Sequence, residues 1–322
     1  MPLSDAATEV DRAIGGPLRG PAFENAFAGA TSFLRRRYQR DASGADVAVL
    51  GVPWDGAVTH RTGPRFGPRA IREASSLQPF DPPYGWPFDP LGELAVVDAG
   101  DLAYDYAKPQ AFPAALAARV SEIMGQGAAA ILLGGDHFLT LPSLRAHAAR
   151  HGPMAVVQFD AHSDLWPDDD PDRLDHGTFL YKAVREGLAD PARSVQVGIR
   201  TVTPDRLGVP MIDARAVHER GPAAVAAEMR RIVGDAPCYL SFDIDALDPS
   251  AAPGTGTPVW GGLHAWQAQA ILRDLAGLSV LGGDVVEVSP PFDPAGITAV
   301  AAAHVATEIL CLVGWHRLGK GP

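Results

Sequence analysis

From Asp46 to Leu312 the chain alternates short apolar runs with longer stretches whose apolar residues recur at helical spacing. The run Asp46-Val47-Ala48-Val49-Leu50-Gly51-Val52-Pro53 is apolar, β-rich and closed by Gly and Pro, which predicts a buried strand. Further strands are predicted at 94–97, 129–133, 155–159, 194–199, 210–212, 238–242 and 280–288. Helices are predicted at 69–76, 113–126, 141–151, 177–187, 223–233, 265–275 and 297–312. Apolar strands alternating with helices imply a mostly parallel sheet covered on both faces, an α/β three-layer αβα sandwich. Ligands of such a sheet bind at the carboxyl ends of its strands. Residues 1–44 are irregular and rich in Gly, Pro and Arg, and read as an N-terminal arm with one short helix near 31–39. No composition break divides residues 45–322, which read as one domain. Residues 54–68 and 79–90 read as loops, the first lying over a site.

Composition narrows the chemistry. The chain has 322 residues, 47% hydrophobic and 20% charged, enough to bury a large core without staples. Two cysteines, Cys238 and Cys311, exclude a disulfide scaffold and a thiolate-rich zinc site, and read as small buried apolar residues. The formal charge of −11, with three lysines among 27 basic residues, argues against nucleic-acid binding. The opening Met1-Pro2-Leu3-Ser4-Asp5 has no secretion-signal pattern, and the longest apolar run, 128–133, is too short to span a bilayer. A cytoplasmic protein with no membrane partner is expected.

Four polar clusters follow four of the predicted strands. They are Gly134-Gly135-Asp136-His137, Asp160-Ala161-His162-Ser163-Asp164, Asp243-Ile244-Asp245, and Glu287 at the end of Asp284-Val285-Val286-Glu287. All fall where a parallel sheet presents its carboxyl edge. Asp160, His162 and Asp164 are spaced i, i+2, i+4 and so share a direction at a strand end, as do Asp243 and Asp245. Carboxylates packed this closely repel unless cations bind. Two His and four Asp suit two adjacent divalent ions with mixed O/N ligands; Mn²⁺ fits that set, and Ni²⁺ or Co²⁺ also suit it. A metal pair lowers the pKa of a shared water. Singly, an Asp after a strand is often a helix cap; six such residues converging on one edge is a different observation. The remaining histidines read as structural or surface residues, His147 and His151 among them, with His60 singled out because its loop lies over the site.

These motifs resemble the three signatures of the ureohydrolases, the arginase and agmatinase family. The third continues as Leu247-Asp248-Pro249 and then Gly254-Thr255-Gly256-Thr257-Pro258. The likeness runs from about Val47 to Leu312. It implies the arginase/deacetylase-like fold, a catalytic domain over 45–322, and assembly as a homo-trimer or homo-hexamer. It implies one Mn²⁺ held by His137, Asp160, Asp164 and Asp243 and another by Asp160, His162, Asp243 and Asp245. Asp164 counts among the catalytic residues as well. The proton-shuttling His of the family matches His176 in Asp175-His176-Gly177-Thr178, and its guanidinium-gripping Glu matches Glu287. The roles suit the residue types: a carboxylate pairs bidentately with a guanidinium, and His titrates in the range a leaving amine needs.

The expected reaction is hydrolysis of a small guanidino substrate to urea and an amine. The stretch Leu133–Pro142 looks more like bacterial agmatinases than arginases, and Thr201-Val202-Thr203-Pro204 stands where arginases bind the α-amino group. Agmatine is the favoured substrate, with guanidinobutyrate or another guanidino acid or alkylguanidine as the alternative. Asp168, in the acidic loop 165–174, is the candidate partner for an ammonium tail; His60 and Arg65 are candidates for the substrate loop, an arginine there holding a carboxylate tail. The one-zinc deacetylase relatives lack this full ligand set. A non-catalytic subunit that keeps the fold is the reading from a different class.

Overall fold

The structure is a computed structural model and describes residues 11–321 apart from Phe80. Among the described residues eight strands form one sheet, and every strand pairing is parallel. They are β1 (Val47–Val52), β2 (Val96–Asp101), β3 (Ala129–Gly134), β4 (Ala155–Phe159), β5 (Val195–Ile199), β6 (Met211–Asp213), β7 (Cys238–Asp243) and β8 (Val280–Val286). The order across the sheet is β2-β1-β3-β8-β7-β4-β5-β6. The helices of seven residues or more are α1 (Gly67–Ser75), α2 (Phe112–Gly125), α3 (Thr140–His151), α4 (Phe179–Arg185), α5 (Ala214–Arg220), α6 (Pro222–Val233), α7 (Ala265–Asp274) and α8 (Ile297–Arg317).

Period-two alternation divides the strands between two apolar layers. Val47 and Val49 of β1 join Ile71 of α1 and residues of α6, α7 and α8 on one face. Ala48, Leu50 and Val52 join Phe112 of α2, Leu144 of α3 and Phe179 of α4 on the other. Both faces are covered, so the strands read as continuous apolar runs. This is the expected αβα sandwich. Helix α8 is apolar on nearly all sides; it is long and apolar enough to cross a membrane, but 78% of its most apolar window is buried inside the protein.

Several expectations need correction. The helix expected near 31–39 is a single 3₁₀ turn, Phe33–Arg35, because Leu34 and Arg35 take left-handed φ of 49° and 54°. The first ten residues of the expected arm lie outside the described residues. The rest is packed onto the sheet edge: Phe33 N donates to Asp98 Oδ2 at 2.7 Å and Leu34 N to Ser75 Oγ at 2.8 Å. Asp98 is itself gripped by Arg72 through two bonds of 2.8 and 3.0 Å, so one bidentate ion pair ties segment, helix α1 and strand β2 together. The strand expected at 94–97 begins at Val96 and runs on to Asp101, and α5 was not anticipated. His147, expected on the surface, is fully buried: Nδ1 sits 2.9 Å from Ser143 O and the ring packs against Tyr239. Burial pushes its pKa down to about 4, so it is a neutral core residue.

Candidate active site

The carboxyl ends of the four central strands, β3, β8, β7 and β4, deliver the four polar clusters to one place. After β3 the chain must turn sharply beside the end of β1. Gly135 N donates to Val52 O at 3.0 Å and Asp136 N to Trp54 O at 2.8 Å. A Cβ on Gly135 would meet Trp54 O at 2.1 Å, so only glycine permits this approach. Asp136 then caps the turn His137–Leu139 through Phe138 N, and its other oxygen accepts from Ala57 N. It fastens the loop that presents His137 and is not itself in either metal-holding group.

His137 Nδ1 lies 3.0 Å from Asp160 Oδ2, 2.9 Å from Asp164 Oδ2 and 3.2 Å from Asp243 Oδ2. His162 Nδ1 lies 3.0 Å from Asp245 Oδ2 and 3.5 Å from Asp160 Oδ1. Asp160 thus faces one cluster with each oxygen. Among the described residues, His137 with Asp160 and Asp164, and Asp160 with His162 and Asp245, have the spacing of metal-holding groups. The fit to cations rests on unmet demand. His137 Nδ1 and Asp164 Oδ2 are buried without a hydrogen-bond partner, and one imidazole nitrogen cannot satisfy three carboxylates. An oxygen-and-imidazole donor set is what hard or borderline divalent ions take.

The surrounding network orients these ligands. Gln158 Nε2 donates to Asp160 Oδ2 at 2.7 Å, and Gln196 Nε2 donates to Gln158 Oε1 at 2.7 Å and Ser163 O at 2.6 Å. On the other side His137 Nε2 meets Ser241 Oγ at 2.8 Å, which donates to Asp284 Oδ1 at 2.6 Å. That leaves Nδ1 of His137 turned to the carboxylates. Asp164 and Glu287 both hold left-handed backbone, φ 51° and 63°, at a cost of about 1–3 kcal/mol each. The same kink at Glu287 ends β8 at Val286, two residues earlier than expected.

His176 and Glu287 meet beside the clusters. His176 Nδ1 is 2.8 Å from Glu287 Oε1, which also accepts from His137 N at 2.9 Å. Thr59 N donates to His176 Nε2 at 3.2 Å, and Thr59 Oγ1 lies 2.9 Å from the same nitrogen. Glu287 Oε2 is buried with no partner. A cavity of about 470 Å³ opens over the site; its walls include His137, His162, Asp164, His176, Thr59 and Thr257, with Trp166, Arg173 and Asp175 among the rest.

Three expected substrate residues lie elsewhere. His60 is exposed and does not line the cavity. Arg65 is ion-paired with the buried Asp55, which also accepts from Gly63 N at 2.8 Å; the arginine braces its own loop. Asp168 is buried against Lys182 Nζ at 2.8 Å, and Lys182 also caps Asp170 O and Arg173 O. Its charge is already matched. The cavity residues that sequence reasoning missed, Thr59, Trp166, Arg173, Asp175 and Thr257, sit in quoted motifs or loops, but nothing in their spacing marks direction.

The titrating groups show what the clusters do without cations. Burial and the charge of Asp160 raise Asp164 to about 6, and burial with Asp245 raises Asp243 well above the ordinary range. Burial opposes the charged form of His176 and His162, yet Glu287 lifts His176 to about 9 and Asp245 lifts His162 to about 12. Protons stand in for ions. A raised Asp destabilises increasingly from its unfolded value of about 3.9 up to its folded one, and a raised His stabilises below about 6.5 and loses that as pH climbs through its folded value. Both slopes have one sign. Below about pH 6.5 the depressed His147 works the other way, so thermal melts of metal-stripped protein should show stability falling from about pH 6.5 towards pH 9, with a flatter profile after Mn²⁺ loading; parallel profiles would contradict this.

Comparison with known proteins agrees with this geometry. The chain matches the arginase family over residues 45–312. It is 52% identical over 297 residues to an agmatinase of Chromobacterium violaceum, covering 92% of both chains. The crystal structure of a hypothetical agmatinase from Burkholderia thailandensis superposes with a TM-score of 0.94 at 50% identity, over 97% of this chain and 99% of that one. The proclavaminate amidino hydrolase of Streptomyces clavuligerus superposes at 0.87 with 38% identity, over 91% and 100%. The protein belongs to the arginase family of metal-dependent hydrolases.

Proposed function

We propose that this arginase-family enzyme hydrolyses agmatine to putrescine and urea with two Mn²⁺ ions. The observation that carries the reading is Asp160, one carboxylate whose two oxygens serve two histidine–carboxylate clusters, 3.0 Å from His137 and 3.5 Å from His162. In the proposal one ion is held by His137, Asp160, Asp164 and Asp243, and the other by Asp160, His162, Asp243 and Asp245. Bound together, such ions supply a water activated near neutral pH and a charge clamp for the reacting carbon.

The chain's own residues do the rest. Glu287 presents Oε2, the carboxylate oxygen without a partner, to the substrate guanidinium. Its Oε1 accepts from Nδ1–H of His176 and fixes the tautomer, so that Nε2, once released by Thr59 N, can take up a proton and pass it to the departing amine. The likeness to proteins named agmatinase, 52% and 46% identical over most of the chain, favours agmatine. So does the structure at Arg65, whose pairing with Asp55 removes an arginine expected to hold a carboxylate tail.

Urea release from metal-stripped protein reloaded with Mn²⁺, and separately Ni²⁺, tests the proposal across agmatine, 4-guanidinobutyrate and arginine. Agmatine should lead in kcat/KM by at least about tenfold, the discrimination expected when a buried charge partner is missing or wrong. A guanidino acid in the lead would overturn the substrate and keep the chemistry. No urea from any of them would favour the non-catalytic reading.

A further inference from the structure

An ion pair on the cavity wall, Arg173 with Asp175, lies on the loop that leads into His176. Arg173 Nη2 donates to Asp175 Oδ2 at 2.7 Å, and both residues line the cavity. The other oxygen of Asp175 is committed: Oδ1 accepts from Gly177 N at 3.0 Å and so caps the turn His176–Thr178. Among the described residues, Oδ2 pairs with Arg173 alone. The loop itself is firm, because Lys182 holds Asp168, Asp170 O and Arg173 O within 2.7–2.8 Å. Arg173 is different: its side chain is 58% exposed. An ion pair with one partner in water is a weak one. Asp175 is the less exposed partner at 14%, so it keeps its place while Arg173 can swing away.

We infer that Asp175 Oδ2 receives the cationic tail of the substrate and that Arg173 is a displaceable occupant of the same oxygen. This rests on the agmatine reading above. A guanidinium gripped at Glu287 beside His176 sends its chain outward, and the first anionic group on the cavity wall next in sequence to His176 is Asp175. Trp166, half exposed, lines the same wall, and an aromatic ring attracts an ammonium. Arg173 then sets a threshold: a tail must carry positive charge to take over Oδ2, whereas a carboxylate tail meets an arginine already neutralised. Asp175 is thus a specificity residue for the tail, and Arg173 acts through it.

The test uses the Mn²⁺-loaded enzyme and two probes of equal chain length: agmatine, and butylguanidine as a competitive inhibitor that lacks the ammonium. For Asp175→Asn, which retains the cap to Gly177 N, KM for agmatine should rise about tenfold more than Ki for butylguanidine, with kcat falling far less than KM rises. For Arg173→Gln, KM for agmatine should fall two- to fivefold and become less dependent on salt. Equal weakening of both probes by Asp175→Asn, or a loss confined to kcat, would show that Asp175 only holds the His176 turn and would overturn the inference. A rise of KM in Arg173→Gln would overturn the role of Arg173. Failure of the agmatine reading is seen separately, as a wild-type enzyme that releases no urea from agmatine.

Discussion

Asp160→Asn should lower urea release by about a thousandfold and leave the chain holding no more than one ion per site pair. The substitution keeps size and shape but removes the charge of the carboxylate that faces both His137 and His162. Its neighbourhood cannot adapt. Asp160 Oδ1 accepts from His162 N at 2.6 Å, so the amide nitrogen of Asn must take the place of Oδ2. There it faces Gln158 Nε2, a second donor. Gln158 cannot flip to help, because its Oε1 is held by Gln196, which is fixed in turn by Ser163 O. Loss of several kcal/mol of charge stabilisation corresponds to about three powers of ten in rate. Metal content by mass spectrometry and urea release measured on the same sample check this. Two ions bound with near-normal rate would refute the assignment of Asp160 as a shared ligand.

Glu287→Gln should cost about a thousandfold in kcat/KM while both ions stay bound. Truncating one side of a buried charge pair typically costs 2–5 kcal/mol. Here a second effect adds to it. Glu287 Oε1 accepts from His137 N and from His176 Nδ1, so the amide can keep these two bonds only by turning its NH₂ group to where the guanidinium belongs. Two donors would then face one another. A variant that loses activity together with its ions would mean that Glu287 matters through His137 instead, and a loss under tenfold would remove it from substrate binding.

Much of this was legible in the sequence because strands and ligands carry strong local signals. The run Ala155–Phe159 was read at its true limits because it is apolar throughout and Asp160 ends it. Five of the six candidate ligands were legible from two-residue spacing at strand ends, which a parallel sheet turns into a common direction, and His137 from the polar cluster after its own strand. The turn at Phe33–Arg35 was not legible: left-handed φ at Leu34 and Arg35 is imposed by the bonds to Asp98 and Ser75, far away in the chain. Asp168 misled for a related reason. Four aspartates in one loop look alike in sequence, and only the fold shows that Lys182 takes this one. Arg65 drew attention as a free cation in a loop, but its partner Asp55 stands ten residues earlier. Charge pairing across a fold leaves no periodic trace, and so the substrate tail was the part of the site read least well.

The placement of the site residues at the ends of β3, β8, β7 and β4 has a consequence for biosynthesis. His137 and Glu287 are 150 residues apart, yet Glu287 Oε1 accepts from His137 N. A ribosome that has released the first two motifs has made a chain without β7 and β8, the strands that lie between β3 and β4. Until those are inserted, the histidine of one motif and the aspartates of the next stand on strands that do not touch. Ion capture therefore has to follow closure of the whole sheet, and a fragment that stops short of β8 should pass through a metal-rich cell without taking up its pair of ions.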